Sequence, residues 1–360
     1  MTALPHIEYF LGANAPTGFY SLYDHLLSPE QARAIYIMKG GPGCGKSTLM
    51  RKIGVWAEEA GLETEYILCS GDPDSLDAVV LPDKGVAIVD GTAPHVVEPK
   101  YPGAVERYVN MGDCYDKEAL WPLRQEIMDC MAGYKGCYQR AYRCLGAAAE
   151  IMEDQRATLL TDALSRKLAK RARGILSREV PRRKAEQPGR VKQRFLGAVT
   201  HRGPICLYDT AAAQCKRIYA LSDNCSLAHE LLIHLLAGIT GNGYDVVACP
   251  DPMAPERLAH LLVPQLELAF LTAAGALPQG MTPYRRIRLD TAADGDILRR
   301  SRPRLRFARK VSAALSEEAV ASLAQAKAMH DGLEAIYNPY VDFDLADKMV
   351  RDIWDEIQTF

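Results

Sequence analysis

The sequence lacks long hydrophobic runs, paired-cysteine motifs and a strong net charge. No uninterrupted apolar stretch approaches the roughly 18 residues of a membrane helix, and no basic region followed by an apolar run stands at the N-terminus. The ten cysteines include no CxxC pair, which is the spacing typical of zinc sites. We therefore expect a cytoplasmic protein with free thiols and no membrane partner.

The composition is that of a globular protein with more than one core. The chain has 360 residues, of which 48% are hydrophobic, and its formal net charge is −2. A chain of this length exceeds the usual size of one domain. We expect two domains joined by helical or loop segments.

A glycine-rich stretch near the N-terminus has the spacing of a phosphate-binding loop, or P-loop. Its pattern GxxxxGK[ST] begins at Gly40, between a strand predicted at 34–38 and a helix predicted at 47–60. Glycines let successive N–H groups surround a phosphate, while Lys46 supplies a cation and Ser47 a magnesium ligand. The sequence therefore predicts that ATP and Mg2+ bind here. The predicted nucleotide contacts are Gly40, Gly41, Pro42, Gly43, Cys44, Gly45, Lys46, Ser47 and Thr48.

An apolar strand predicted at 86–90 ends in Asp90, the usual form of the element that holds the magnesium ion through a water. We expect Asp90 to act on the metal with Ser47, and the alternative is a capping aspartate in a turn. The next residue is Gly91, so the water-activating glutamate of many ATPases is absent at this point.

Two further residues are candidates for the chemistry. Asp72, with Asp74 and Asp77, follows a predicted strand at the edge of a parallel sheet where ligands collect, and could orient a water or an acceptor hydroxyl. The alternative is that these acids cap a helix starting at "DPDSLDAV". His95, on a Pro/Gly-rich loop, is either a proton shuttle or substrate contact, or a histidine with a structural hydrogen bond.

The second half of the chain repeats the first. "FLGA" at Phe10 recurs at Phe195, "LYD" at Leu22 recurs at Leu207, and the offset drifts from 185 to 179 along the chain. In this register the loop residues Gly40, Gly45, Lys46 and Ser47 become Asp223, Ala228, His229 and Glu230, and Asp90 becomes Thr272. Two acids in place of phosphate ligands would repel phosphate. The second copy is therefore predicted not to bind nucleotide.

Basic residues are concentrated between the copies. Residues 165–194 contain twelve Lys or Arg against two acids, which leaves the remaining chain at about −12. Three interpretations remain open: a solvated connector, a lid whose arginines reach the triphosphate, or a surface for nucleic acid or another polyanion. A second run, Arg299–Lys310, stands in the comparable part of the second copy, and an arginine of 299–309 could serve the first site.

Several long stretches carry a resemblance to a known family. "FLGANAPTGFYSLYD", "GGPGCGKSTLM", "CSGDPDSLDAV", "DGTAPHVVEPKYPGAVE" and "YVDFDLAD" resemble largely uncharacterised bacterial ATP-binding proteins with two tandem P-loop domains. The resemblance implies ATP as ligand and an ATPase or kinase-like activity. Members of that family keep a P-loop in the second copy, whereas this chain does not. A shorter stretch, "TGFYSLYDHLL", is similar to RecA and circadian-clock ATPases, and this likeness favours Asp72 as the acid that activates water.

We therefore predict an α/β protein with two tandem P-loop NTPase domains, each with a parallel sheet and a C-terminal helical extension. The predicted units are 1–115, 116–190, 191–290 and 291–360. The residues expected to take part in catalysis are Lys46, Asp72, Asp90 and His95. The function classes that remain are an ATPase coupled to a conformational switch, a small-molecule or nucleotide kinase, and a nucleotide-gated module that binds nucleic acid or protein.

Overall fold

The computed structural model describes residues 5–360 except 29, 184, 185, 274 and 276. It is an α/β structure with two six-stranded sheets and two short hairpins. The strands are β1 (Ile7–Phe10), β2 (Gly12–Ala15), β3 (Gly18–Ser21), β4 (Ala34–Lys39), β5 (Glu65–Leu68), β6 (Leu76–Leu81), β7 (Val86–Asp90), β8 (Glu106–Asn110), β9 (Val191–Gln193), β10 (Gly197–Thr200), β11 (Gly203–Cys206), β12 (Arg217–Ser222), β13 (Val246–Asp251), β14 (Ala254–Val263), β15 (Leu268–Ala273) and β16 (Arg285–Arg288). The helices are α1 (Lys46–Glu59), α2 (Lys117–Leu120), α3 (Arg124–Leu159), α4 (Asp162–Glu179), α5 (Tyr208–Gln214), α6 (Ala228–Gly241), α7 (Gly295–Tyr337) and α8 (Phe343–Gln358).

The two sheets have the same strand order. The first runs β1-β5-β6-β7-β4-β8 and the second runs β9-β13-β14-β15-β12-β16, so corresponding strands hold corresponding places. In each sheet one strand, β6 or β14, is antiparallel to both of its neighbours, and the other pairings are parallel. The prediction of parallel sheets is therefore confirmed in part: both sheets are mostly parallel, and one antiparallel strand makes each of them mixed.

The antiparallel strand also replaces a predicted helix. Residues 72–75 form a turn, and the segment that follows is β6, all of whose residues are buried. A short apolar run rich in β-branched residues, such as Val79 and Val80, suits a strand covered on both faces. The helix predicted to begin at "DPDSLDAV" is therefore wrong, because the acidic start of a helix and the acidic turn before a strand look alike in sequence.

The elements around the glycine-rich loop match their predictions. The strand predicted at 34–38 is β4, whose residues are buried except for the intermediate Lys39, and the helix predicted at 47–60 is α1. Helix α1 buries one face, with Leu49, Met50 and Ile53 in the same apolar core as β4. The strand predicted at 86–90 is β7, which pairs with β4 in parallel.

Two long helices join the sheets. Helix α3 follows the first sheet, α7 follows the second, and they pack against each other along their lengths. The pairing is antiparallel: the Cys130 thiol donates to the carbonyl of Met329 at 3.3 Å, and Arg304 donates to Asp154 at 2.9 Å. The thiols of Cys130 and Cys137 on α3 thus both contact Met329 of α7.

The helices that follow α3 and α7 exchange partners. Helix α4 packs against α6, which covers the second sheet, and α8 packs against α1, which covers the first. The hydroxyl of Tyr36 on β4 donates to Glu356 of α8 at 2.7 Å, and that of Tyr219 on β12 donates to Glu179 of α4 at 2.5 Å. Each extension therefore follows one sheet in the chain and covers the other. Among the described residues, no helix combines the length and apolar character that crossing a bilayer would require.

Candidate nucleotide site

The loop between β4 and α1 exposes backbone donors at a helix N-terminus. Gly43 and Gly45 have φ values of 73° and 78°, a conformation that favours glycine. Gly45 is the N-cap of α1, and among the described residues no side chain accepts a hydrogen bond from the first turn of this helix. Unpaired amides at a helix N-terminus attract anions. The loop therefore fits a phosphate group.

Lys46 is held at the mouth of this loop. Its ammonium group donates to the carbonyls of Gly40 at 3.0 Å and Gly41 at 2.8 Å, and lies 3.5 Å from Oδ2 of Asp90. The side chains of Lys46 and Asp90 are only 10% and 13% exposed. The structure thus brings the predicted phosphate cation and the predicted metal acid together.

Asp90 satisfies its turn with one oxygen only. Its Oδ1 accepts hydrogen bonds from the amide and the hydroxyl of Thr92, at 2.8 and 2.5 Å, which is the capping contact expected from the alternative interpretation. Its Oδ2 points to Lys46. Capping and metal binding are therefore compatible for this carboxylate.

The Ser47 hydroxyl accepts from the amide of Leu76 at 2.8 Å, so it is fixed by β6. Hydroxyl and carboxylate oxygens are the ligands that Mg2+ prefers, so the chemistry of Ser47 and Asp90 suits such an ion.

Asp72 lies in the turn that leads into β6. Its carboxylate accepts from the Ser75 hydroxyl at 3.0 Å and lies 3.4 Å from the ammonium group of Lys327 on α7. The turn joins the site because Leu76, at its end, bonds to Ser47. The contact with α7 could not be read from the sequence, because the two residues are far apart in the chain.

His95 is buried away from these contacts. Its ring packs between Phe19 and Tyr23, with centroids 5.5 Å away in each case, and its Nε2 lies 3.3 Å from Asp77. Tyr23 also donates to Asp77 at 2.7 Å. Among the described residues, His95 makes no hydrogen bond or ion pair with the glycine-rich loop, and its Nδ1 has no partner. Among the described residues, His95 is thus linked to the other candidates through Asp77 and makes no hydrogen bond or ion pair with Lys46, Asp72 or Asp90.

Asp77 lies at the sheet edge where the sequence predicts it, but within β6 rather than after a strand. In the register of β6 and β7, Ala78 lies opposite Val89, so Asp77 comes next to Asp90 at the same end of the sheet. Burial raises the pKa of Asp77 above its ordinary value, and the charge of His95 opposes this shift. The six residues of β6 show too little alternation of polar and apolar side chains for the sequence to have revealed this strand.

The end of α7 covers the loop. Gly43 touches the turn after α7, since a methyl group at its Cα would lie 2.7 Å from Oδ1 of Asn338 and 3.1 Å from the carbonyl of Glu334. Phe343, at the start of α8, lies against Gly45, and Tyr115 donates to the carbonyl of Pro42 at 2.9 Å. We call residues 334–343 the junction. The junction brings residues of the second half of the chain onto the first loop.

A second group of possible metal ligands lies on α7 near the junction. The side chains of His330, Asp331 and Glu334 offer ligand atoms within 4.8 Å of one another. Their partners account for them without an ion, because Asp331 pairs with Lys327 and His330 lies 3.9 Å from Glu334.

The counterpart loop between β12 and α6 contains its own anion. Asp223 is buried, and its carboxylate accepts from the amide of Cys225 at 3.0 Å and from that of Ala228 at 2.7 Å. Burial raises the pKa of Asp223 to about 6. His229 accepts from the amide of Leu258 at 3.0 Å, so its ring is turned to β14. Two amides of the second loop are therefore satisfied by a carboxylate of the protein itself.

The arginine run Arg299–Lys310 lies near this second loop. Arg304 pairs with Asp154, and the adjacent Gln155 donates to the carbonyl of Asn224 at 2.8 Å. About 45 Å of helix separates Arg304 from Glu334, at 1.5 Å per residue. The prediction that an arginine of 299–309 reaches the first loop is therefore wrong, because α7 begins at the second sheet. The cation that α7 brings near the first loop is Lys327.

The basic segment 165–194 divides into two parts. Its first half, residues 165–179, belongs to α4, which packs on α6 rather than over the first loop, so the lid interpretation has no support. Its end is structural, since Arg194 is buried and pairs with Glu65 at 3.2 Å. Lys184 and Ala185 lie outside the described residues.

No protein-family model, no curated protein and no solved structure matches this chain.

Proposed function

We propose that the chain is a P-loop NTPase that binds Mg-ATP at residues 40–48 and transfers the γ-phosphoryl group to water. The observation that carries the proposal is the arrangement of Lys46 and Asp90 beside uncapped loop amides. The family resemblance of the sequence agrees with it. The second loop would bind no nucleotide, because Asp223 already accepts from its amides.

Each residue has a task that follows from its position. The loop amides and Lys46 hold the phosphates and offset the charge that develops during transfer. Ser47 and Asp90 would hold Mg2+, which supplies further positive charge at the phosphates when it is bound. Asp72, at the edge of the site, would orient the attacking oxygen. Catalysis then depends mostly on placement and electrostatics, since phosphoryl transfer requires little covalent help from the protein.

Transfer of the phosphoryl group to water and transfer to a hydroxyl-bearing small molecule would use the same contacts between the protein and the phosphates. An ATPase releases phosphate without any acceptor, whereas a kinase needs one. Phosphate release by the purified protein with ATP and Mg2+ alone therefore distinguishes the two reactions.

The binding step is tested with a matched pair of variants. Lys46→Ala should abolish ATP binding, because it removes the cation at the loop. His229→Ala, at the corresponding position of the second copy, should leave ATP affinity within about twofold of the parent. Binding is measured by titration calorimetry with a non-hydrolysable ATP analogue and Mg2+, and folding by circular dichroism. Retained binding in folded Lys46→Ala would contradict the assignment.

A further inference from the structure

Three basic stretches, distant in sequence, meet on the second sheet. They are α4, the edge strand β16 and the first third of α7. Their exposed basic residues are Arg166, Lys167, Lys170, Arg171, Arg173, Arg178, Arg285, Arg286, Arg288, Arg299, Arg300, Arg302, Arg304, Arg306, Arg309 and Lys310. We call this set the basic surface.

Contacts at both ends of α4 link the three stretches through residues that flank or underlie them. The ammonium group of Lys167 on α4 donates at 3.0 Å to the carbonyl of Ala292, which lies between β16 and α7. At the other end of α4, Arg178 donates at 3.4 Å to the hydroxyl of Tyr219, whose ring contacts that of Tyr284, directly before β16. Beneath them, α4, β16 and α7 contribute to one apolar core. The three elements that carry the basic surface are therefore neighbours on the second sheet.

The charge is specific to this half of the molecule. Helix α4 has six basic and two acidic residues, whereas α8, which holds the corresponding place on the first sheet, has two basic and five acidic residues. The edge strand β16 has three arginines, whereas the corresponding edge strand β8 has one arginine and one glutamate. The fold itself therefore does not require cations at these positions. Charged edge strands discourage aggregation, but that role would not account for α4 and α7.

Many of these cations have no acidic partner. Within the described part of the chain, no carboxylate lies within 4.0 Å of the charged groups of the following residues: Arg166, Lys170, Arg171, Arg173, Arg286, Arg288, Arg300, Arg302 and Arg306. Clustered like charges repel one another unless a partner neutralises them. An extended set of unpaired arginines is typical of surfaces that contact phosphate groups.

We propose that the basic surface binds double-stranded nucleic acid through its phosphate backbone. Helix α4 is about 27 Å long, roughly four fifths of one turn of a duplex, so its cations can face several phosphates in a row. Among the described residues, the exposed aromatic rings of the basic surface are Phe307 on α7 and Tyr284 before β16, and α4 has none, so the cations are not accompanied by a row of base-stacking rings. The cations stand on rigid elements, which favours a polymer of fixed shape. Binding would be sensitive to salt and largely independent of sequence.

The test reverses one unpaired charge on each element. The variant carries Arg171→Glu, Arg286→Glu and Arg302→Glu, and its control carries Lys135→Glu, Arg143→Glu and Lys348→Glu, three exposed cations outside the basic surface. Binding to a fluorescent duplex of about 20 base pairs is followed by anisotropy between about 50 and 200 mM salt. We expect the first variant to lose at least tenfold in affinity and to lower the salt slope by about two to three. The control should lose far less.

Three outcomes would overturn the proposal. They are equal affinities for the two variants, no measurable binding by the parent at the lowest salt, and tighter binding of the parent to single strands or anionic vesicles than to the duplex. Circular dichroism shows whether each variant folds. The proposal does not rest on nucleotide binding, so folded Lys46→Ala should bind the duplex like the parent without ATP, even if the proposed ATPase activity proves absent.

Discussion

At the scale of single residues, one carboxylate distinguishes the second loop from the first. Asp223 places two oxygens on the amides of Cys225 and Ala228, where the corresponding first loop is capped by no side chain of the described residues. The sequence indicates an acid at this position and suggests repulsion of phosphate. The structure adds that the acid takes up the loop's own donors. The same carboxylate that would repel phosphate therefore also holds the loop in place.

This arrangement predicts a pH effect on stability. The pKa of Asp223 is raised by burial from 3.8 to about 6, so the folded state binds a proton more tightly than the unfolded state. Its contribution to the free energy of unfolding is therefore larger at pH 5 than at pH 7, by about 1 kcal/mol, and is lost as pH rises through about 6. Asp223→Ala should destabilise the protein by about 1–3 kcal/mol, because it leaves two amides unpaired, and the loss should be greater at pH 5.

Urea unfolding at the two pH values measures both effects. Asp223→Asn removes the ionisation but keeps one acceptor, so we expect the same pH change with a smaller loss. A larger loss at pH 7 than at pH 5 for Asp223→Ala would show that the carboxylate is not held as described.

Asp72 and Asp74 form a natural pair for testing the chemistry. They stand in the same turn, but Asp72 faces Lys327 near the loop, whereas Asp74 is exposed and pairs with Arg202. If Asp72 orients the attacking oxygen, Asp72→Asn should leave ATP affinity unchanged and slow phosphate release by about 100-fold. Asp74→Asn should stay within about twofold of the parent rate. Similar rates for the two variants would return Asp72 to a purely local role in its turn.

At the scale of elements, the sequence predicts what depends on neighbours in the chain. The strand before Gly40, the helix after it and the strand ending at Asp90 are confirmed, because apolar runs and glycine positions act locally. The strand β6 was beyond this reasoning, since an acidic turn before an apolar run resembles a helix start. The observed strand β6 places Asp77 beside Asp90.

The exchange of the helical extensions could not be predicted in this way. The patterns of α4 and α8 show one apolar face each, but not which sheet covers it. The partners lie far apart in the sequence, as with Glu356 of α8 on Tyr36 of β4. Such long-range pairing depends on the fold of the whole chain. For the same reason, the junction over Gly43 had no local signal.

At the scale of the whole molecule, α7 links the two proposed sites. Its first third carries part of the basic surface, and its last residues lie on Gly43 through Glu334 and the adjacent Asn338. With 43 residues it spans about 65 Å. It packs along α3, which ends at the second loop. A shift of the junction would therefore move a rigid pair of helices rather than a loop.

This link predicts coupling between nucleotide and duplex. Phosphates in the first loop would contact the same main chain that the junction now touches, so the two should not keep their present contact together. We therefore expect saturating non-hydrolysable ATP analogue with Mg2+ to change duplex affinity about fivefold or more, and the duplex to change analogue affinity by the same factor, since binding linkage is reciprocal. Anisotropy and calorimetry measure the two directions. Lys46→Ala should bind the duplex with one affinity whether or not the analogue is present. If the analogue is shown to be bound and the duplex affinity of the parent is unchanged, α7 connects the two sites without coupling them. A ligand that binds two conformations equally well does not shift the equilibrium between them.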